Sequence, residues 1–425
     1  MGARRRRGLA LLLTLACSMS LALTGCGGGR AQAEYRVVVA TDLHYLAPSL
    51  TDHGLMFQQM MENSDGKCTQ YCDEILDAFL LEVIELRPEA LILTGDLSFN
   101  GERESHLALA EKLKAVEEAG IPVLVLPGNH DLYRSQTYSY FGDSAEWVPN
   151  ISDEDFREIY GAYGFDEAIA SDPDSLSYAA RLNDGTRVLM LDANTLHDFC
   201  GLSEKSLAWI EEQLAAARQE GETVLVCCHQ NLFRHSMFDR GYVLNRSERL
   251  AALLEQYEVP LMLSGHMHIQ HVQTEGKVTE IATSSLTMGA CQYGVLEASG
   301  GVLHYEARTV DVSAWAKEQG LADEALLNFG VTAAESMVRR TRAQAEEQLA
   351  ESNVPPEERA ALIEYACALN EAYFSGNLTG IPALDPEGEL LQRWLESGTM
   401  FGYYFSSIQE EIGRDHTHWQ GNDHA

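Results

Sequence analysis

Five short polar blocks, each placed directly after an apolar run, constrain this chain more than any other feature of its sequence. The apolar runs indicate buried strands at residues 35–40, 90–94, 122–126, 223–228 and 260–263. The blocks that follow them are Asp42-Leu43-His44, Gly95-Asp96, Gly128-Asn129-His130-Asp131, His229 and Gly265-His266-Met267-His268. Because α/β sheets place their sites at the carboxyl ends of the strands, we expect these side chains to converge.

The residue types in the blocks favour a site that holds two metal ions. Two divalent metals about 3.5–4 Å apart can clamp the attacking and leaving oxygens of a phosphoryl displacement. Such a pair needs several ligands for each metal and at least one carboxylate that bridges both. Imidazole and carboxylate together suit Mn, Fe or Zn better than Ca or Mg. The ordered set therefore favours a two-metal hydrolase over the alternative of core histidines and capping aspartates.

Between the blocks, apolar residues at helical spacing predict helices at residues 73–85, 105–120 and 203–219, the last with Ser203 as its cap. Further strands are predicted at residues 187–192, 278–283, 293–297 and 302–308. This alternation of strands and helices predicts an α/β fold.

The block pattern D-x-H, G-D, G-N-H-[D/E], H, G-H-x-H resembles that of the calcineurin-like metallophosphoesterase superfamily, and the resemblance covers residues 35 to 310. It implies a metallo-dependent phosphatase fold, an αββα sandwich of two mixed sheets flanked by helices. It also implies hydrolysis of a phosphoester by a hydroxide that bridges two divalent metal ions (Mn, Fe or Zn).

The resemblance assigns a role to each residue of the blocks. The ligands of the first metal would be Asp42, His44 and His268. The ligands of the second would be Asn129, His229 and His266, with Asp96 bridging both. His130 would face the leaving-group oxygen and either protonate it or stabilise its charge. Asp131 either orients His130 or caps a following helix.

Departures from subfamily patterns narrow the substrate class. Protein Ser/Thr phosphatases carry G-D-x-V-D-R-G and R-G-N-H-E, and this chain lacks both phosphate-gripping arginines. Purple acid phosphatases place a tyrosinate three residues after the bridging Asp, where this chain has Phe99. The G-N-H-D form is closest to class III cyclic nucleotide phosphodiesterases. We therefore expect phosphodiester or small phosphomonoester substrates. A nucleotidase-like phosphomonoesterase and a metal-binding lipoprotein without turnover are the alternatives.

The amino terminus predicts export and a lipid anchor. Residues 4–7 are arginines, and residues 9–23 form an apolar stretch of the length found in signal peptides. Leu23-Thr24-Gly25-Cys26 then resembles the bacterial lipoprotein signal, which implies a signal peptide over residues 1–25 and lipidation of Cys26. An ordinary secretory signal is the alternative. Residues 26–34 would form a flexible tether that holds the enzyme to the outer face of the membrane.

The composition argues against a nucleic-acid substrate. The chain has 30 Lys and Arg against 64 Asp and Glu, a formal charge of −34, and such a field repels polyanions. Solubility alone would also explain this acidity. Cys68 and Cys72 lie four residues apart, where a disulfide is geometrically awkward, so we expect two unpaired thiols.

Residues 311–425 have a helical character and predict a C-terminal extension beyond the catalytic domain, with helices at residues 323–351, 356–374 and 388–396. It would pack on the domain, cover the site or mediate oligomerisation. Two segments of the catalytic domain are predicted as long loops. Residues 45–71 would form a substrate rim or a plain surface loop, and the aromatic residues of 132–155 would form a wall for a nucleobase or pack in the core. The final residues, from Asp415 to His424, are dense in potential ligands. They either reach the metal site or a partner, or form a frayed terminus.

Overall fold

The computed structural model describes residues 34–423 except 63, 65, 184, 198 and 239. The predicted signal peptide, Cys26 and His424 lie outside these residues. The strands are β1 (Tyr35–Ala40), β2 (Ala90–Thr94), β3 (Val123–Leu126), β4 (Tyr138–Phe141), β5 (Ser144–Trp147), β6 (Ala170–Ser171), β7 (Tyr178–Asn183), β8 (Thr186–Leu191), β9 (Thr223–Cys228), β10 (Leu261–Ser264), β11 (His271–Glu275), β12 (Val278–Ala282), β13 (Gln292–Ser299), β14 (Val302–Thr309) and β15 (His418–Asn422).

The helices are α1 (Leu55–Glu62), α2 (Cys72–Leu86), α3 (Arg103–Glu118), α4 (Asp153–Ile159), α5 (Glu204–Glu220), α6 (Ser247–Gln256), α7 (Val312–Glu318), α8 (Glu324–Leu327), α9 (Phe329–Ala350), α10 (Pro356–Ser375), α11 (Ile381–Leu384), α12 (Glu389–Leu395) and α13 (Met400–Ile408). None of these described helices is both long and apolar enough to cross a membrane.

Two mixed sheets form the catalytic part. The first has the order β15-β14-β13-β1-β2-β3, with β1, β2 and β3 parallel and the other pairs antiparallel. The second has the order β11-β12-β10-β9-β8-β7-β6, with a parallel centre formed by β8, β9, β10 and β12. The five strands that precede the polar blocks therefore belong to two parallel arrays, with β3 at the edge of the first sheet, and their carboxyl ends carry the blocks.

The side chains of each strand alternate between two packed faces. In β9, Leu225 and Cys227 belong to the main core, which also contains Val37 and Leu91 of the first sheet. Their neighbours Val226 and Cys228 pack instead with Ile210 of α5 and Leu250 of α6. This two-residue period produces a sheet that is buried on both faces. Two mixed sheets with outer helices confirm the predicted αββα sandwich.

The helical extension is confirmed and has a core of its own. Trp394 and Phe405 are fully buried in it, and their rings meet edge to face. The same core includes Ile269, which directly follows the predicted ligand His268. The extension therefore packs on the loop that carries two of the predicted metal ligands. The division between catalytic domain and extension at residues 310 and 311 stays a prediction.

Several local predictions need correction. The segment at residues 45–71 contains α1, whose partly buried methionines pack on the main core, so it is not an open loop. The helix predicted at residues 323–351 is two helices, because Asn328 leaves helical geometry between α8 and α9. The aromatic segment at residues 132–155 forms the β4–β5 hairpin, where Tyr140 is buried and Trp147 is 63% exposed. Cys68 and Cys72 are free, as predicted.

The carboxyl-terminal tail is folded as far as the structure describes it, to residue 423. Residues 418–422 form β15, an edge strand that pairs with β14. His416 is buried, its carbonyl accepts a hydrogen bond from Gln270 Nε2 at 2.9 Å, and its Nδ1 accepts one from the backbone of Val272 at 3.3 Å. These contacts lie behind the loop of His266 and His268, so the described tail supports that loop without joining the metal ligands.

Candidate metal centre

The polar blocks converge where the two sheets face each other. His44 Nε2 lies 3.0 Å from His268 Nε2, and His268 Nε2 lies 3.2 Å from Asp42 Oδ1. His229 Nε2 lies 3.4 Å from Asp96 Oδ2. Ligand atoms of two groups are close enough to hold one ion each, and both groups include Asp96: they are Asp42, His44, Asp96 and His268, and Asp96, His229 and His266.

Asn129 completes the second group. Its Oδ1 lies 3.1 Å from His229 Nε2, so an amide oxygen faces the same point as the imidazole. The structure therefore brings together all seven residues that the sequence predicts as ligands. Their assignment to particular metals stays a prediction.

Hydrogen bonds fix which nitrogen of each histidine is free. His229 Nδ1 lies 2.8 Å from the carbonyl oxygen of Thr94, so this nitrogen carries the proton and Nε2 is available to a metal. His266 is turned the other way, because its Nε2 lies 2.8 Å from the carbonyl oxygen of Gly241. Its Nδ1 is therefore the free ligand atom. Such outer hydrogen bonds are typical of metal-binding histidines.

The donor set fits a cation. Asp42 Oδ1 is buried and has no hydrogen-bond partner, while Asp42 Oδ2 accepts bonds from Thr41 Oγ1 and from the backbone of His266, both at 2.8 Å. A buried carboxylate oxygen without a donor is costly unless a cation sits against it. The Nε2 atoms of His44 and His268 lie 3.0 Å apart, and they too require a cation against them.

Electrostatics keep most ligands in the protonation state that metals require. Burial alone would raise the pKa of Asp96, but the imidazoles of His229 and His130 outweigh it and hold this pKa well below its ordinary value. Burial lowers the pKa of His44 well below its ordinary range and that of His266 to about 4. His229 is the exception: burial acts to lower its pKa, yet the nearby Asp96 carboxylate raises it to about 9. A metal ion would displace that proton.

The backbone is strained at the ligands. Asp42, His44, Asp96, His266 and His268 all have positive φ angles, between 42° and 70°. Residues other than glycine rarely adopt this left-handed region, and each one that does raises the free energy of the folded state by about 1–3 kcal/mol. Strain that recurs at five ligand positions indicates that the surrounding fold holds these side chains in place for a function.

Two glycines of the blocks are required by close packing. A Cβ atom on Gly265 would lie 1.9 Å from Thr41 Oγ1, and one on Gly128 would lie 2.2 Å from Asp96 Oδ1. Both glycines thus let the backbone approach a ligand carboxylate or the side chain beside it.

His130 and Asp131 have different surroundings. His130 Nδ1 lies 2.9 Å from Asn100 Oδ1 and 3.2 Å from the carbonyl oxygen of Phe99, which leaves Nε2 free. Its ring meets that of His44 edge to face, with 5.0 Å between the centroids. Asn100 therefore orients His130, and the sequence offered no specific signal for this role.

Asp131 performs neither of the two roles that the sequence left open. Its fully buried carboxylate accepts hydrogen bonds from the backbone of Leu97 and Gly128 and from both the backbone and the hydroxyl of Ser98, at 2.8–3.1 Å. It does not orient His130, and no helix follows it among the described residues before α4. Asp131 instead fixes the loop that carries Asp96.

A second cluster lies behind the ligands, where the extension meets the catalytic part. His271 Nε2 lies 3.5 Å from Glu411 Oε2, and His416 Nε2 lies 3.0 Å from the same oxygen. The three could surround an ion. However, the two rings are stacked, 4.2 Å apart and 26° from parallel, so their lone pairs do not converge. The backbone of Val272 also donates to His416 Nδ1, which places the proton on Nε2. We assign this cluster to hydrogen bonding between the two parts.

Comparison with known proteins gives the class. The family model described as calcineurin-like phosphoesterase matches residues 35–270, more than half of the chain. The model of the C-terminal domain of cyclic nucleotide phosphodiesterase matches residues 311–415. This chain therefore belongs to the calcineurin-like phosphoesterase family, and it is a metal-dependent phosphoester hydrolase.

Individual relatives are more distant. A probable glycerophosphodiester phosphodiesterase from Arcobacter nitrofigilis is 28% identical over 55% of this chain and 76% of its own length. A probable cyclic nucleotide phosphodiesterase from Rhodococcus erythropolis is 25% identical over 47% of this chain, and the match spans 58% of that protein. A dimetal phosphatase structure from Danio rerio covers 65% of this chain and 96% of its own at 13% identity. The TM-score between the two structures is 0.47.

Proposed function

We propose that this enzyme hydrolyses phosphodiesters at a dinuclear centre in which Asp96 bridges the two metals. The observation that carries the proposal is that the two ligand groups share this one buried carboxylate. The donors are imidazole, carboxylate and amide oxygen, a set that favours Mn, Fe or Zn. A bound pair of such ions supplies a water of lowered pKa and positive charge against the phosphoryl oxygens.

Other residues of the site act on the leaving group and hold the ligand loops in place. His130 is held by Asn100 with its Nε2 free and close to His44, where it would contact the oxygen of the departing group. It protonates that oxygen or stabilises its charge. Asp131 and Gly128 keep the loops of Asp96 and Asn129 in contact, and thereby preserve the spacing of the two ligand groups.

The preference for diesters is supported by two observations. The first two relatives described above are named as phosphodiesterases, and both family models are consistent with those names. In addition, a cavity of about 520 Å³ adjoins the ligands His266 and His268 and has aromatic walls that include Phe238, Tyr242 and Tyr404. Such a space suits an ester with a sizeable organic group on the phosphorus.

We also propose that the enzyme is exported and anchored by a lipid on Cys26. Support comes from the arginines at residues 4–7, the apolar stretch that follows and the position of the cysteine. Mass spectrometry of the amino-terminal peptide from the native membrane fraction should show a diacylglyceryl group on Cys26. An unmodified residue 26, preceded by an uncleaved leader, would refute the anchor.

Kinetics with restored metals test the reaction. The full chain is stripped of metal, and Mn, Fe or Zn is then returned in separate samples. We expect bis(4-nitrophenyl) phosphate to be hydrolysed with a higher kcat/KM than 4-nitrophenyl phosphate. A preference for the monoester would overturn the diester proposal and favour a nucleotidase-like phosphatase. No turnover with two metals bound would favour the alternative of a binding lipoprotein.

A further inference from the structure

The cavity beside the metal centre is built from two distant parts of the chain. One wall comes from the catalytic part and includes Tyr242, His266 and His268. The opposite wall comes from α9, α10 and α13 of the helical extension and includes Arg340 and Asn370. A ligand that fills this space touches both the metal-binding loop and the extension.

Arg340 is the one residue with a permanent charge among the described residues that line this cavity. Its Nε is buried and has no hydrogen-bond partner, and Arg340 forms no ion pair with any described residue. Three other arginines of the extension form ion pairs: Arg342 with Glu364, Arg393 with Glu358 and Arg414 with Glu411. A partly buried guanidinium without a carboxylate partner, at the wall of a cavity beside the metal centre, is available to bind an anionic ligand.

A second cation marks the same side of the site. Lys67, Arg339 and Arg340 all line a neighbouring pocket. Arg340 therefore lies between the cavity that contains His266 and His268 and the pocket that contains Lys67.

The G-D and G-N-H blocks of this chain contain no arginine. The protein phosphatases of the superfamily hold phosphate with arginines in the G-D and G-N-H blocks, and this chain has neither. We propose that Arg340 supplies the missing contact from the extension by binding an anionic oxygen of the substrate's phosphoryl group. The planar guanidinium can offer two parallel N–H bonds to such a group, which an ammonium cannot. The inference rests on the proposed function, because it names a further binding residue of the same site.

Three variants test the contact. Arg340→Met removes the charge at similar length, and Arg340→Lys keeps the charge but loses the fork. Arg339→Met is the matched control, since Arg339 is its exposed neighbour on α9 and lines only the neighbouring pocket, not the cavity beside the metal centre. Each is assayed with bis(4-nitrophenyl) phosphate after metal restoration, and the binding of inorganic phosphate is measured by calorimetry.

A hydrogen bond to a charged group contributes about 1.5–3 kcal/mol, equivalent to about 10- to 150-fold in kcat/KM. We expect a loss of that size in Arg340→Met, a smaller loss in Arg340→Lys and a change below twofold in Arg339→Met. Phosphate should bind more weakly to Arg340→Met, and its metal content should equal that of the wild type.

The two proposals fail in different ways. The role of Arg340 is overturned if the wild type turns over and Arg340→Met matches Arg339→Met in both kcat/KM and phosphate affinity. Absence of wild-type turnover with any metal overturns the proposed function first. If Arg340→Met does not fold, Arg340→Lys decides, and wild-type kinetics in that variant would refute recognition by the guanidinium fork.

Discussion

Replacing Glu280 with glutamine should weaken both the fold and the metal centre. Glu280 lies on β12, is fully buried, and receives five hydrogen bonds. Its Oε1 accepts from Ser264 Oγ at 2.6 Å, Leu232 N at 2.8 Å and Asn231 Nδ2 at 3.3 Å. Its Oε2 accepts from Phe233 N at 2.7 Å and faces His235 Nε2 at 3.1 Å. The carboxylate thus joins the loop after His229 to the strand before His266.

The expected loss of stability follows from the number of hydrogen bonds that Glu280 accepts. A glutamine amide must place its NH₂ group against either the Oε1 or the Oε2 donors, so at least two buried donors lose their acceptor. Each buried unsatisfied group costs about 1–3 kcal/mol, and loss of one partner from a buried charged pair typically costs about 3–5 kcal/mol in all. We therefore expect the free energy of unfolding to fall by about 3–5 kcal/mol. Metal affinity should fall by about 10- to 100-fold, as when other outer-shell groups are removed.

The pH dependence of the free energy of unfolding provides a second test of the same substitution. Burial alone would raise the pKa of Glu280, but the His235 imidazole and the hydrogen bonds from Ser264 and Phe233 outweigh it and hold the pKa below its ordinary value of 4.5. A carboxylate with a depressed pKa in the folded state stabilises the protein above its unfolded pKa, and this contribution is lost as the pH falls through the folded value. The difference between wild type and Glu280→Gln should therefore be complete above about pH 4.5 and shrink below it.

Urea unfolding of the metal-free proteins, followed by circular dichroism, measures the first effect, and competition with a chelator measures metal affinity. Glu275→Gln on the adjacent strand β11 is the control, because Glu275 is exposed. A loss below about 1 kcal/mol in Glu280→Gln, or an equal loss in Glu275→Gln, would refute the reasoning.

Three further variants probe the loops around the ligands. Gly265→Ala places a Cβ atom 1.9 Å from Thr41 Oγ1, so we expect a loss of about 1–3 kcal/mol and weaker metal binding; unchanged metal content would contradict this. Asn100→Ala frees the ring of His130, so kcat should fall about tenfold at unchanged metal content, and a kcat within twofold of wild type would count against it. Asp131→Asn should lower the free energy of unfolding by about 2–4 kcal/mol; a variant that is slow yet fully stable would instead return Asp131 to the chemistry.

The features of the structure that could be predicted from the sequence are those set by residues close together in the chain. Strands β1, β2 and β9 begin and end where their apolar runs do, because a strand buried on both faces needs a continuous apolar sequence. The ligand blocks were predictable for the same reason: each directly follows such a strand. The short helix α1 was missed because its eight residues are too few for a helical period to stand out from a loop.

The contacts that support the site could not be predicted, because they join residues far apart in sequence. Asp131 binds a loop more than 30 residues away, and Glu280 bonds residues almost 50 positions earlier. Neither side chain carries a local signal for its partner. Arg340 resembles its neighbour Arg339 in sequence, and only the packing of α9 distinguishes the residue that lines the cavity.

Metal stoichiometry in the Asp96→Asn variant tests the central claim most directly. Stripped wild-type chain and the variant are titrated with Mn, bound metal is counted by mass spectrometry, and diester hydrolysis is followed at each step. The account predicts two metals for each wild-type chain, with turnover appearing as the second is bound, and at most one metal and no turnover in Asp96→Asn. Two tightly bound metals and near wild-type turnover in Asp96→Asn would contradict a shared carboxylate at the centre of this site.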